Sequence, residues 1–231
     1  MAQYLGFRSR LAFAAGVTAA AAVVSACAPS ATVAPAVATT LKAAVASLNQ
    51  VGTVGRALAS PLTVVLTDQD GAAMSGVTVT FAVVSGGGTL SAASAVTDAD
   101  GQASASLILG TVAGADSVIA TASGLSAMFA ATATPDVAVA LIKVSGDAQQ
   151  VAMGTTAAAL VVKAVDQYGN AVAGAGVTWS VSGGQLSAAS TVTGSDGLAT
   201  IMLLVEQEAV EVVAALADDS SVAATFSIIG M

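Results

Sequence analysis

The 231-residue chain contains no histidine, one cysteine, and six Lys and Arg against 14 Asp and Glu. Without imidazole and with a single thiol, it lacks the side chains most used as general bases, nucleophiles and soft metal ligands. Most enzyme classes are excluded with them. A net charge of −8 and the absence of any Lys/Arg cluster set the chain against phosphate backbones, which excludes nucleic acid as a partner. Charged residues make up only 9% of the chain and hydrophobic ones 55%, where a typical globular chain carries about 25% and about 45–50%. A disordered chain is therefore excluded, and the composition is that of a core-builder. At roughly 150 residues per domain the length fits one or two domains.

The N-terminus has too little apolar length for a permanent membrane span. Arg8 and Arg10 precede an uncharged run from Leu11 to Ala26, 16 residues long, and a spanning helix needs roughly 20. Charged-then-apolar is the pattern of a secretory signal peptide, placed here at residues 1–26. The run ends at Val24-Ser25-Ala26-Cys27, which resembles the bacterial lipobox. That resemblance implies a diacylglyceryl group on the Cys27 thiol, cleavage just before it, and a membrane as the first partner. Ala28 follows where an Asp would retain a lipoprotein at the inner membrane, so the resemblance implies the outer membrane, on its periplasmic or surface face. The plainer alternative is cleavage after Ala26 with an incidental thiol, but an unpaired cysteine in an exported protein is unusual. Each buried methylene contributes about 0.8 kcal/mol, so two or three acyl chains anchor stably. Processing leaves Lys42, Arg56, Lys143 and Lys163 against 14 acids, a mature charge of −10. Lipid alone must then hold the protein, because anionic headgroups give no help.

Residues 27–40 read as a flexible linker, rich in Ala, Pro, Ser and Thr. Beyond it the chain is written twice. Asp68-Gln69-Asp70-Gly71 returns 98 positions later as Asp166-Gln167-Tyr168-Gly169, and Gly76, Val79 and Phe81 return as Gly174, Val177 and Trp179. Leu90-Ser-Ala-Ala-Ser94 and Asp100-Gly101 return after 96, as Leu186-Ser-Ala-Ala-Ser190 and Asp196-Gly197. Within each copy the apolar period is two. Leu62, Val64 and Leu66, then Val79 and Phe81, then Ala103, Ala105, Leu107 and Leu109 each alternate with smaller or polar residues, as half-buried strands do. Asp-Gly and Gly-Gly pairs punctuate them with turns. Thr40 to Ser47 is Ala-rich enough to form a frayed helical turn. Short strands with regular turn signals in units of about 100 residues predict an all-β protein of two tandem immunoglobulin-like antiparallel β-sandwiches.

The ordered set of motifs points further. Gly52-Thr-Val-Gly55, Thr67-Asp-Gln-Asp-Gly71, Gly76-Val-Thr-Val-Thr-Phe81, Ser85-Gly-Gly-Gly88, Thr97-Asp-Ala-Asp-Gly101 and Leu109-Gly-Thr-Val-Ala-Gly114 together resemble the bacterial Ig-like domain, group 1. That module recurs in invasin and intimin stalks. The resemblance places domain 1 at residues 41–135 and a weaker copy, domain 2, at 136–231. The second copy departs from the pattern where Glu206-Gln-Glu-Ala-Val-Glu211 replaces the Gly-Thr-x-Ala-Gly turn.

The candidates for chemistry are few. Asp68 with Asp70, and Asp98 with Asp100, have a D-x-D-G spacing that can supply Ca²⁺, an ion that takes six to eight oxygens. Turns need Asp and Gly in any case, and the second copy has Tyr168 and Gly194 where two of these carboxylates stood. No cofactor other than the lipid is expected. Trp179, the single Trp, shares the parity of Val177 and Val181, so it is expected in the core rather than as a sugar platform. Glu206, Glu208 and Glu211 read as a solvated hairpin tip, and with no aromatic subsites nearby they make a poor glycosidase pair. Tyr168 sits in a turn and is a candidate contact for a partner.

The expected function is that of a lipid-anchored envelope protein acting as a non-catalytic spacer or adhesion-type module. The alternative is a binding module that recognises an envelope protein or a polysaccharide through loops such as Tyr168 and Glu206 to Glu211. An enzyme would have to build its site from carboxylates, Lys143, Lys163 or Tyr168 alone.

Overall fold

A computed structural model describes residues 34–231. Val24, Ser25, Ala26 and Cys27, with linker residues 28–33, lie outside the described residues. Among the described residues the regular structure is strand, apart from one 3₁₀ turn.

The first sandwich runs through β1 (Ala38–Ala43), β2 (Gln50–Thr53), β3 (Leu62–Asp68), β4 (Thr78–Ser85), β5 (Thr89–Leu90), β6 (Ser94–Val96), β7 (Gln102–Ala105), β8 (Leu107–Ile108), β9 (Gly114–Ala122) and β10 (Leu125–Thr134). The second repeats it with β11 (Ala140–Ser145), β12 (Gln149–Val151), β13 (Leu160–Val165), β14 (Gly176–Val181), β15 (Gln185–Leu186), β16 (Ser190–Val192), β17 (Leu198–Ile201), β18 (Leu203–Leu204), β19 (Ala209–Leu216) and β20 (Ala223–Gly230). In each, a three-stranded sheet (β1-β3-β7; β11-β13-β17) faces a five-stranded one (β2-β10-β9-β4-β6; β12-β20-β19-β14-β16), and two short strands pair apart (β5-β8; β15-β18). All pairings are antiparallel except those of β2 with β10 and β12 with β20.

Alternation explains the strands. Leu62, Val64 and Leu66 of β3 point inward, Val79 and Phe81 of β4 face them from the other sheet, and Ala127, Phe129, Ala131 and Ala133 of β10 complete the layer. The second core repeats this with Leu160, Val162, Val177, Trp179, Val212, Phe226 and Ile228. The two cores share no residue, so each copy buries its own apolar face. Trp179 is 5% exposed, stacks tilted on Phe226 at 6.3 Å between centroids, and donates from Nε1 to Thr191 Oγ1 at 2.8 Å.

Two details differ from the sequence reading. The linker was expected to reach residue 40, yet β1 begins at Ala38, where Ala38 pairs with Asp68 and Leu41 with Leu66. Thr39 and Thr40 are β-branched, and the sheet edge gives their backbone a partner. Thr40 to Ser47 is strand as far as Ala43, followed by one 3₁₀ turn at Val45–Ser47. There Ser47 Oγ donates to Pro61 O and accepts from Thr63 N, both at 3.0 Å.

A glutamine holds the next crossing in both copies. Gln50 grips Ser60 through a paired amide contact, with Oε1 accepting and Nε2 donating at 2.9 Å each, and Gln149 grips Ala158 in the same way at 2.8 and 2.9 Å. These residues tie the strand that changes sheets to the start of β3 or β13.

Candidate functional site

Residues 36–231 form one compact unit, and side-chain hydrogen bonds from the second sandwich to the first come from one turn. That turn is Asp166-Gln167-Tyr168-Gly169-Asn170, directly after β13. Asp166 is buried, and its Oδ1 accepts from the amides of Tyr168 and Asn170 at 2.9 Å each, which closes the turn on itself. Its Oδ2 accepts from the amide of Asp136, in the segment linking the sandwiches, at 3.1 Å, and from Asn170 Nδ2 at 2.9 Å. Burial opposes ionisation here, but the Asn170 side chain and the amides of Asn170, Asp136 and Tyr168 outweigh it. The Asp166 carboxyl is held below its usual range.

Asn170, so oriented, reaches across. Its Nδ2 donates to the carbonyl of Thr111 at 2.8 Å and its Oδ1 accepts from the amide of Ala113 at 2.9 Å, both in the β8–β9 loop of the first sandwich. Each end of the amide thus bonds the neighbour's backbone, and the NH2 group, which has two hydrogens to donate, also holds Asp166. Tyr168 lies beside it over Gly55 of the first sandwich. A Cβ added at Gly55 would stand 2.7 Å from the Tyr168 hydroxyl oxygen, and Gly55 has φ +68°. Arg56 and Asp136 approach to 4.0 Å, too exposed to add much.

The corresponding turn of the first sandwich has the same internal geometry. Asp68 Oδ1 accepts from Asp70 N and Ala72 N at 2.9 Å each. At the two positions that reach outward it carries Asp70 in place of Tyr168 and Ala72 in place of Asn170. The turn is shared between the copies, and the bridging side chains belong to the second alone.

The other candidates fall elsewhere. Tyr168 is half exposed at the junction, whereas Glu206, Glu208 and Glu211 are exposed near the other end of β13, since Leu160 at the start of β13 pairs with Ile201 and Thr156 bridges Leu204. The structure does not bring Tyr168 and the glutamates together. The Asp turns cap themselves, with Asp98 Oδ1 accepting from Asp100 N at 2.9 Å and Gln102 N at 2.8 Å. Among the described residues no three His, Cys, Asp or Glu side chains cluster at metal-binding spacing.

Sequence reasoning missed Asn170 as a bridge, and it missed Asp116. Asp116, in β9, is 2% exposed and neither carboxylate oxygen has a hydrogen-bond partner. Burial pushes its carboxyl up. Strand pairing aligns it with Val210, a buried core residue of the second sandwich. The contrast between the copies was the available signal in both cases.

A tandem of two β-sandwiches, each with its own core and coupled through one turn, defines the class as Ig-like. The chain belongs to the bacterial Ig-like domain (group 1) family, whose model matches residues 46–137 and 143–229. Among solved structures it is similar to Yersinia pseudotuberculosis InvD, at 19% identity over 83% of this chain and 57% of that one, with a TM-score of 0.55. It is also similar to the Escherichia coli adhesin FdeC (20% identity, 83% and 64% covered, TM-score 0.48) and to the D0-D1 domain of intimin (22%, 83% and 98%, 0.32). The InvD likeness concerns the fold. No curated protein matches the chain.

Proposed function

We propose that this protein is a lipid-anchored, non-catalytic stand-off module of the bacterial envelope, of the adhesion type, held through Cys27 and sited at the outer membrane. The observation that carries the reading is the Asn170 bridge, because two sandwiches joined by side-chain hydrogen bonds as well as by chain transmit position as one body. A carrier of this kind needs length, stiffness and an anchor, and it needs no reactive group. The chain is poor in such groups, and its two buried carboxylates among the described residues, Asp116 and Asp166, lie within folded packing rather than converging on a cleft. The linker before β1, which begins at Ala38, adds reach at no more than about 3.3–3.6 Å per residue.

The test compares wild type with Cys27→Ser by mass spectrometry and by external protease treatment of intact cells. A lipid-sized mass increment lost in the variant, with release of the variant from membranes, is expected. An unmodified wild-type chain cut after Ala26 and recovered in the soluble fraction would contradict the anchor.

A further inference from the structure

The two copies differ at one more place, the end of each sandwich where the strands before β4 and β14 meet the β9–β10 and β19–β20 hairpins. In the first sandwich this corner is filled. Met74, Val77 and Leu125 all pack against the core, and the hairpin closes through only Ser123 and Gly124 between Ala122 and Leu125. In the second, strand pairing places Val172, Ala175 and Val222 at those positions, and Gly176 where the first copy has Thr78. Each is smaller, and none packs against the second core. The hairpin is three residues longer, with Ala217 to Ser221 lying between Leu216 and Val222. The outcome is an open groove of about 610 Å³ lined by Val137, Val139, Val172, Gly176, Leu216 and Val222, with Asp218 and Asp219 on its rim.

We infer that this groove is a docking site for a partner protein that inserts an apolar side chain next to a lysine or arginine. The lining is aliphatic and has no aromatic residue, which suits an alkyl side chain and offers no stacking surface to a sugar. The rim carries two carboxylates and no cation, so the complementary partner is basic. Asp219 is fixed in place, its Oδ1 accepting from Ser221 N at 3.0 Å and Ser221 Oγ at 2.6 Å. The backbone around the groove is already paired: Ala175 N to Thr193 Oγ1 at 2.9 Å, Ala217 N to Gly176 O at 2.9 Å, and Val222 N to Asp219 O at 3.1 Å. Those amides are not free for strand addition, and recognition rests on side-chain insertion with an ion pair at the mouth. The stand-off reading does not require this site, so its failure would leave that reading intact.

The experiment uses the full-length chain in phosphatidylcholine vesicles and the peptide acetyl-Ala-photoleucine-Lys-Ala-amide, with crosslinks mapped by mass spectrometry. Crosslinks are expected within 172–176 and 216–222. Asp218→Asn with Asp219→Asn should weaken capture by roughly fivefold at low salt. Val172→Met with Ala175→Val, which restores the residues of the first sandwich, should abolish it while leaving the Trp179 fluorescence of the folded chain unchanged. Equal capture of a peptide with Glu in place of Lys, crosslinks scattered over the surface, or no capture at all would overturn the proposal. So would competition by n-octylammonium as effective as that by unlabelled peptide, because the groove would then be a site for small amphiphiles.

Discussion

Asn170 donates a hydrogen bond from Nδ2 to the carbonyl of Thr111 at 2.8 Å, across 59 positions of sequence and from one sandwich to the other. The Oδ1 of the same side chain accepts from Ala113 N, and Asp166 behind it fixes which way the amide faces. Removing both bonds with Asn170→Ala is expected to cost about 1–3 kcal/mol of coupling between the sandwiches, since two hydrogen bonds of ordinary strength are lost. Trp179 reports on the second sandwich alone, whereas circular dichroism reports on both. The two unfolding curves should coincide in wild type and separate in Asn170→Ala, and curves that coincide in the variant would count against the coupling.

Gly55 and Gly154 make a matched pair. Both have positive φ, +68° and +78°, but the Tyr168 hydroxyl covers the first and open space surrounds the second. Gly154→Ala should cost only the backbone strain of a left-handed residue, about 1–2 kcal/mol. Gly55→Ala should cost more, and Tyr168→Ala should remove the excess. Denaturant melts of the three single variants and of the Gly55→Ala/Tyr168→Ala double variant measure this. Equal penalties at the two glycines would show that the tyrosine does not press on Gly55.

Asp116 gives the protein an unusual pH response. Its carboxyl is raised above 3.8 in the folded state, so the fold binds that proton more tightly than the unfolded chain does. Its contribution is fully present below pH 3.8 and is lost as pH rises through the higher folded value. Asp166 acts in the opposite sense, stabilising above 3.8 and losing that contribution as pH falls through its lowered folded value. Asp116→Val, which installs the counterpart of Val210, should stabilise the neutral protein by about 1–3 kcal/mol and flatten the loss above the acid range. Thermal melts across a pH series decide it, and a variant less stable than wild type at neutral pH would show that Asp116 has an ionic partner.

Trp179 with Thr191 replaces the Phe81 with Ala95 of the first sandwich, as the strand registers align them. Trp179→Phe leaves the Thr191 hydroxyl without its indole donor and should cost about 1 kcal/mol or more, through lost volume and the lost bond. Adding Thr191→Ala rebuilds the pair of the first copy. The double variant should therefore be more stable than the sum of the two single losses predicts, by about 0.5–1.5 kcal/mol. Strict additivity in chemical denaturation would mean that the indole contact contributes nothing.

Much of this architecture was legible in the residue order. The inward parity of Leu62, Val64 and Leu66, and of Trp179 with Val177, follows from period-two alternation, because a pleated strand leaves no other face for large apolar groups. The repeat made the second sandwich readable from the first. What escaped was long-range. Nothing local distinguishes Asn170, which bonds to a loop 59 positions earlier, from any other turn asparagine. Asp116 reads as a polar start to a strand until the strand's depth is known. Ala38 to Thr40 resembles the linker before it, and only the edge offered by β3 makes it strand. The groove is an absence of volume, visible only when Val172, Ala175 and Gly176 are laid against Met74, Val77 and Thr78. For Asn170, Asp116 and the groove, the difference between the copies carries the information.

The two sandwiches are expected to behave as one body, and the most direct measurement is the distance between them. Spin labels at Ser94→Cys and Ser190→Cys, equivalent exposed sites in the two copies, placed in a Cys27→Ser background, report it by pulsed electron resonance. A single narrow distribution in wild type that broadens in Asn170→Ala is the predicted result. A broad distribution in wild type, or one that Asn170→Ala leaves unchanged, would contradict it.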